Sequence, residues 1–359
     1  MKKIVISGVV ALAVALGACT SSQQSSLVSE GNPSVLDSLS YALGANVGFA
    51  ITQQIPDVPF DYDLFANGIS DAIYGKNTIT TDEMSQTLQT YFNETRMQRA
   101  EVVEQRRDEA DALAIKNGAD EATVAANRAA MKADADMFES EAQRSEVSYA
   151  FGVSVGLSFE SLDVPVQVYW VRTAFKDAQS GNADMNDQES LAFLQNYFTV
   201  VRPAELKAIS EEELAKVEKM SSVVKTESGL MYRIEKAGDD TLIATDDRDV
   251  VRVQYTGRLL RNNKVFDTSR YEDRDEEYQE MMRMQNPDNY SVNEPIEFPL
   301  NRVIPGWTEG MKFVGKGGRI SLWIPSELAY GERGAGNDIG ANEALFFDVE
   351  IVDVIPYTE

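Results

Sequence analysis

The stretch Val303-Ile304-Pro305-Gly306-Trp307, followed by Ile324-Pro325-Ser326-Glu327-Leu328-Ala329-Tyr330-Gly331, decides the fold of the last third of this chain. Upstream stand Val253-Gln254-Tyr255-Thr256-Gly257 and Phe266-Asp267; downstream stands Phe347-Asp348-Val349-Glu350. Residues 229–234 alternate in polarity. Residues 250–260, 319–324 and 344–354 are rich in β-branched and aromatic side chains. All four segments are expected as strands. Pro305 is tolerated in a first helical turn, which predicts a short helix starting there.

Five motifs in this order resemble the FKBP family of peptidyl-prolyl cis-trans isomerases, over roughly residues 226–355. The resemblance implies an antiparallel β-sheet wrapped on a short helix. It also implies roles. Trp307 forms a pocket floor, and Tyr255, Phe266 and Phe347 form aromatic walls. Val303 and Ile304 line one side, and the Ile304 N–H is placed to bind a substrate carbonyl. Tyr330 offers its hydroxyl to the substrate backbone. Asp267 accepts from Tyr255 or sits near the twisted carbonyl, and Ile339 lies on a loop over the pocket. This chain departs from the family at Ile296, where an aromatic residue is usual, and at Ile339-Gly340, where Ile-Pro is common. Residues 270–294 form an acidic insertion with Tyr278, Met281, Met282, Met284 and Tyr290. It reads either as a solvated loop or helix, or as a flap that meets client chains.

The composition suits that chemistry. Histidine is absent and Cys19 is the single cysteine, which excludes Ser-His and Cys-His nucleophiles and His-based metal sites. No cofactor and no metal are expected. The formal net charge of -25 argues against a nucleic-acid partner. Rotation about an X-Pro bond faces a barrier of about 18–20 kcal/mol because resonance stiffens the C–N bond. A dry, shape-matched cradle that favours the twisted, less polar amide lowers it by differential binding, with no covalent step. The alternative is a catalytically weak binding module or chaperone on the same fold.

Lys2-Lys3 precede an apolar run over residues 4–15, and Leu16-Gly17-Ala18-Cys19 follows. A basic start and a short apolar core form an export signal. The last four residues resemble a bacterial lipobox, which implies cleavage before Cys19 and a lipid on it. Residues 1–18 are then a lipoprotein signal peptide and 19–34 a flexible tether. The expected location is the bacterial cell envelope, lipid-anchored and facing the periplasm or the cell surface. The expected clients are proline-containing unfolded or nascent envelope proteins.

Residues 40–49 (SYALGANVGF) recur at 148–157 (SYAFGVSVGL), with six of ten positions identical. Further along, Asp71-Ala72 matches Asp177-Ala178, Gly75 matches Gly181, and Tyr91-Phe92 matches Tyr197-Phe198. We read a duplication. Gly44 and Gly48, like Gly152 and Gly156, form helical stripes where another backbone can approach closely. The unit resembles the N-terminal dimerisation segment of FKBP-type isomerases of bacterial envelopes, of the Mip and FkpA kind. Two outcomes stay open: the copies pair within one chain, or they form a homodimer. Residues 82–143 favour helix, with a break at Gly118. A further helix over 187–221 is interrupted near Pro203. The whole is α+β, with an all-α N-terminal region of a duplicated unit and long helices. Its parts are 35–144 (first helical unit and arm), 145–225 (second unit and linker helix) and 226–359 (isomerase domain).

Overall fold

The computed structural model describes residues 34–358, apart from 131–134, 288, 290 and 292. The export signal, Cys19, the tether and Tyr290 therefore lie outside the described residues. The chain divides into two compact units, Met1–Tyr197 and Phe198–Glu359.

The first unit is helical. Its first copy holds α1 (Val35–Gln54), α2 (Tyr62–Ile73) and α3 (Thr81–Thr90). A hairpin of α4 (Arg96–Lys116) and α5 (Glu121–Ala130) follows, turning at Gly118 with φ +96°. The second copy holds α6 (Glu141–Ser161), α7 (Val168–Ser180) and α8 (Asp187–Asn196). Capping boxes open α3 with Thr80 and Glu83, and α8 with Asn186 and Glu189. In each box two otherwise unpaired N–H groups are satisfied reciprocally. The matched Tyr-Phe pairs each begin a π-helical turn, Tyr91–Thr95 and Tyr197–Val201.

The copies exchange partners inside one chain. Helix α1 packs on α7, and α2 packs on α6. The same residue types make the same bonds in both directions. Tyr41 Oη donates to Asp177 and Tyr149 Oη donates to Asp71, each at 3.1 Å. The Ser40 hydroxyl accepts from Gln167 N–H at 2.8 Å, and Ser148 accepts from Asp61 N–H at 2.9 Å. Phe65 stacks on Phe175 of the other copy at 4.7 Å and meets Phe151 edge-on at 5.3 Å. The glycine stripes are the contact faces. A Cβ on Gly44 would lie 2.2 Å from the Val171 carbonyl oxygen, and one on Gly152 would lie 2.0 Å from that of Phe65.

Backbone cannot yield as a side chain can. Gly44→Leu and Gly152→Leu are therefore each expected to cost more than the roughly 1–3 kcal/mol of ordinary core overpacking. Thermal melts of the two variants check this, and a wild-type melt for both would sink the close-approach reading.

The second unit opens with α9 (Arg202–Val217), with Pro203 in its first turn, where a missing N–H costs nothing. The interruption expected there is thus the π turn before the helix. Next come β1 (Val224–Lys225), β2 (Met231–Lys236), β3 (Asp239–Ile243), β4 (Val250–Leu259) and β5 (Val265–Thr268). The insertion contributes α10 (Glu276–Gln285). Then follow β6 (Ile296–Pro299), α11 (Pro305–Gly310), β7 (Gly315–Lys316), β8 (Arg319–Ile324) and β9 (Leu345–Ile355). The main antiparallel sheet runs β1-β2-β8-β9-β4-β5, with β6 also on β4; β3 and β7 pair separately.

Trp307 and Met311 lie in one core with Val253, Leu322, Val349 and Ile351. Val217 and Leu214 of α9 pack with Met231 and Trp323 in a second apolar cluster. The insertion is stitched to β4. Asn293 accepts from Gln254 Nε2 at 2.8 Å and from Tyr271 N–H at 2.7 Å, and Asp273 pairs with Arg258 at 3.0 Å.

Candidate active site

Strand β4 pairs with β9 along its length, while β6 and β5 pair with its first and last parts. That arrangement brings Tyr255 (β4), Phe266 and Asp267 (β5), Phe298 (β6) and Phe347 (β9) around the start of α11. They enclose a cavity of about 490 Å³ with Arg302, Val303, Ile304, Pro305, Trp307 and Tyr330. Trp307 is the hub. Its ring meets Tyr255 and Phe347 edge-on at 5.2 Å each and Phe298 at 5.6 Å. Phe266 meets Phe347 at 5.5 Å. Edge-to-face packing fixes ring directions beyond what area burial alone would. The glycine of the Tyr255 motif has a packing cause: a Cβ on Gly257 would lie 2.6 Å from the Phe347 ring and 2.7 Å from that of Phe266.

Four polar side chains, Tyr255, Asp267, Arg302 and Tyr330, stand among these apolar groups. Tyr255 Oη donates to Asp267, so the carboxylate's place is fixed by a buried phenol. Burial first, then the Asp267 carboxylate, raises the Tyr255 phenol above its ordinary value. Tyr330 is raised in the same way, by burial and then by Asp267. Both phenols stay protonated and remain donors at neutral pH. The Ile304 N–H and the Tyr330 hydroxyl have no hydrogen-bond partner among the described residues. Trp307 Nε1 is buried and likewise unpaired. Unpaired donors beside an apolar hollow suit a ligand that brings carbonyl groups.

Eight of the nine pocket residues expected from sequence line this cavity. The ninth, Ile339, is 7% exposed, lies in the core and is absent from the cavity wall. Its backbone bonds reciprocally with Ala335, at 2.9 and 3.1 Å. Phe298, Arg302 and Pro305 were not among the expected pocket residues. The aromatic sought at position 296 is supplied two residues later: Ile296 is 39% exposed, while Phe298 packs on Tyr255 and Trp307. The period of two along a strand carried the signal, since 296 and 298 share a face.

The amino-terminal domain of FKBP-type peptidyl-prolyl isomerases matches twice, at residues 36–134 and 144–234. The FKBP-type peptidyl-prolyl cis-trans isomerase domain matches residues 243–352. The chain belongs to the FKBP-type peptidyl-prolyl cis-trans isomerases. Among relatives, it is 36% identical over 230 residues to a probable FKBP-type isomerase of Haemophilus influenzae, covering 59% of this chain and 86% of that protein. It is 33% identical over 252 residues to FkpA of Escherichia coli K12, covering 66% of this chain and 81% of that one. The crystal structure of Escherichia coli FkpA aligns at 31% identity over 61% of this chain and 99% of that chain, with a TM-score of 0.40.

Proposed function

We propose that the cavity under Tyr255, Phe266, Asp267, Trp307, Tyr330 and Phe347 binds the proline ring of a peptide and stabilises the twisted amide before it. The observation that carries this reading is the convergence of eight motif residues on one apolar hollow with unpaired donors at its wall. Trp307 supports the proline ring. Val303 holds its edge, and the Ile304 N–H takes a substrate carbonyl. Tyr330 donates to the backbone beyond the proline. Twisting the amide moves charge off its carbonyl oxygen, so a low-polarity surround favours the transition state over the planar ground state. The test is catalysed cis-to-trans conversion of a proline tetrapeptide by the full chain. A folded chain that binds the peptide without accelerating it would overturn the catalytic reading in favour of a binding module.

The same reading places the enzyme in a bacterial envelope, held by lipid on Cys19 and working on unfolded proline-containing clients. Its support is the export signal followed by Leu16-Gly17-Ala18-Cys19. Among the described residues no helix is long and apolar enough to cross a membrane. A homodimer through the glycine stripes is unnecessary in this reading, because those faces are occupied within one chain. Cys19→Ser is expected to abolish incorporation of a fatty-acid analogue and to release the protein from membranes. Equal label on wild type and variant would refute the anchor.

A further inference from the structure

The backbone hydrogen bonds that hold the turn carrying Tyr330 come from residues off the cavity wall. Tyr330 is 40% exposed and its hydroxyl has no hydrogen-bond partner among the described residues, so the place of its ring depends on the backbone turn that carries it. The next residue, Gly331, has φ +58°. The Gly331 carbonyl accepts from Asn342 N–H at 2.8 Å, and Gly334 N–H approaches it at 3.4 Å. Asn342 has φ +63°, in the left-handed region that asparagine enters more readily than most residues. Its side-chain Nδ2 donates to the Pro203 carbonyl, in the first turn of α9, at 3.3 Å.

The neighbouring residues are tied down as firmly. Glu343 is 3% exposed; its carboxylate accepts from Gly340 N–H at 2.7 Å and pairs with Arg261. Ala344 N–H donates to Ser210 Oγ of α9 at 2.9 Å. Leu206 of α9 lies against Gly340, where an added Cβ would be 2.7 Å from its Cδ1. Residues 340, 342 and 344 thus all meet one face of α9, and residue 342 also holds the Tyr330 turn.

We infer that α9 is a positioning element of the isomerase site, and that Asn342 transmits its position to Tyr330. Asn342 and Ser210 lie off the cavity wall and act through the turn rather than on the substrate. A tyrosine hydroxyl is useful only within about 3 Å of its acceptor, and the directional term weakens steeply as the angle opens. Fixing the Gly331 carbonyl fixes that angle. The inference rests on the reading of Tyr330 as a substrate hydrogen-bond donor.

A double-mutant cycle on the full chain separates positioning from plain stability. Asn342→Gly keeps access to positive φ and deletes the bond to Pro203. Its kcat/KM toward a proline tetrapeptide is expected to fall about 3–10-fold, the worth of one hydrogen bond. Tyr330→Phe is expected to cause a similar fall. In the Tyr330→Phe background, Asn342→Gly should cost nothing further. Ser210→Ala should show the same dependence on Tyr330, and Ser210→Thr, which retains the hydroxyl, should restore activity. Equal falls in both backgrounds, or no fall in an Asn342→Gly chain with a cooperative melt, would overturn the coupling while leaving Tyr330 in its role. A silent Tyr330→Phe would overturn the role and the coupling together.

Discussion

A chain carrying Phe266→Ala together with Asp267→Leu is expected to stay folded and to lose about a hundredfold in kcat/KM, from ~1.5 kcal/mol for an apolar wall and ~1.5 kcal/mol for a polar contact in a dry site. The two residues sit on β5, with Phe266 against Phe347 and Asp267 on the Tyr255 hydroxyl. Removing one leaves the other to define part of the hollow; removing both opens the wall to water. The variant leaves a buried Tyr255 hydroxyl unpaired, at a stability cost of about 1–3 kcal/mol. That is a fraction of the stability of an ordinary domain, so a cooperative melt should survive. The measurement is turnover of a proline tetrapeptide beside a thermal melt. Activity within threefold of wild type in a folded variant would move the chemistry elsewhere.

The second large effect concerns where the catalytic unit begins. A chain cut to residues 226–359 loses α9, whereas one cut to 198–359 keeps it. In the intact unit Leu206 is 5% exposed, Val217 is 2% and Met231 is 2%. Taking Leu206, Val217 and part of Leu214 away removes about 5 kcal/mol of apolar burial at roughly 1.5–3 kcal/mol per side chain. The shorter piece is therefore expected to melt about 15–20 °C below the longer one. It is also expected to be less active at room temperature, since Gly340, Asn342 and Ala344 lose the helix they rest on. Melts of the two pieces side by side decide it. Coincident transitions would mean that α9 is a connector and contributes nothing to the unit.

The acidic insertion illustrates a reading that the sequence could not close. Its methionines permitted either a solvated segment or a flap. Asp273 and Asn293 anchor it to β4, Tyr271 N–H donates to Asn293 within it, and Met281 and Met284 of α10 are 41% and 73% exposed. The ends are fixed and an apolar edge faces water. Side-chain character was visible in the sequence; the anchoring polar residues were not, because Asn293 and Gln254 meet across 39 positions of chain.

The sequence by itself determined the isomerase family and the duplication. Five short motifs in fixed order named the pocket residues, because the close packing of rings around Trp307 demands particular residue types at particular places: Gly257 where two phenylalanines converge, Pro305 at a helix start. The spaced recurrence of Ser40-Tyr41 as Ser148-Tyr149 revealed two copies of one unit. Tertiary structure decided the rest. A glycine stripe declares that some backbone comes close but carries no label for which one; only the folded chain shows α1 on α7 and α2 on α6. Phe298 replaced position 296 in the pocket, and Ile339 joined the core, because strand register and loop depth are set by pairing partners far along the chain. The family resemblance runs from residue 226, yet the compact unit starts at Phe198. A helix expected over 187–221 does not say that Leu214 and Val217 of α9 pack on Met231 of β2 and Trp323 of β8, or that its first turn meets the residue behind the Tyr330 turn.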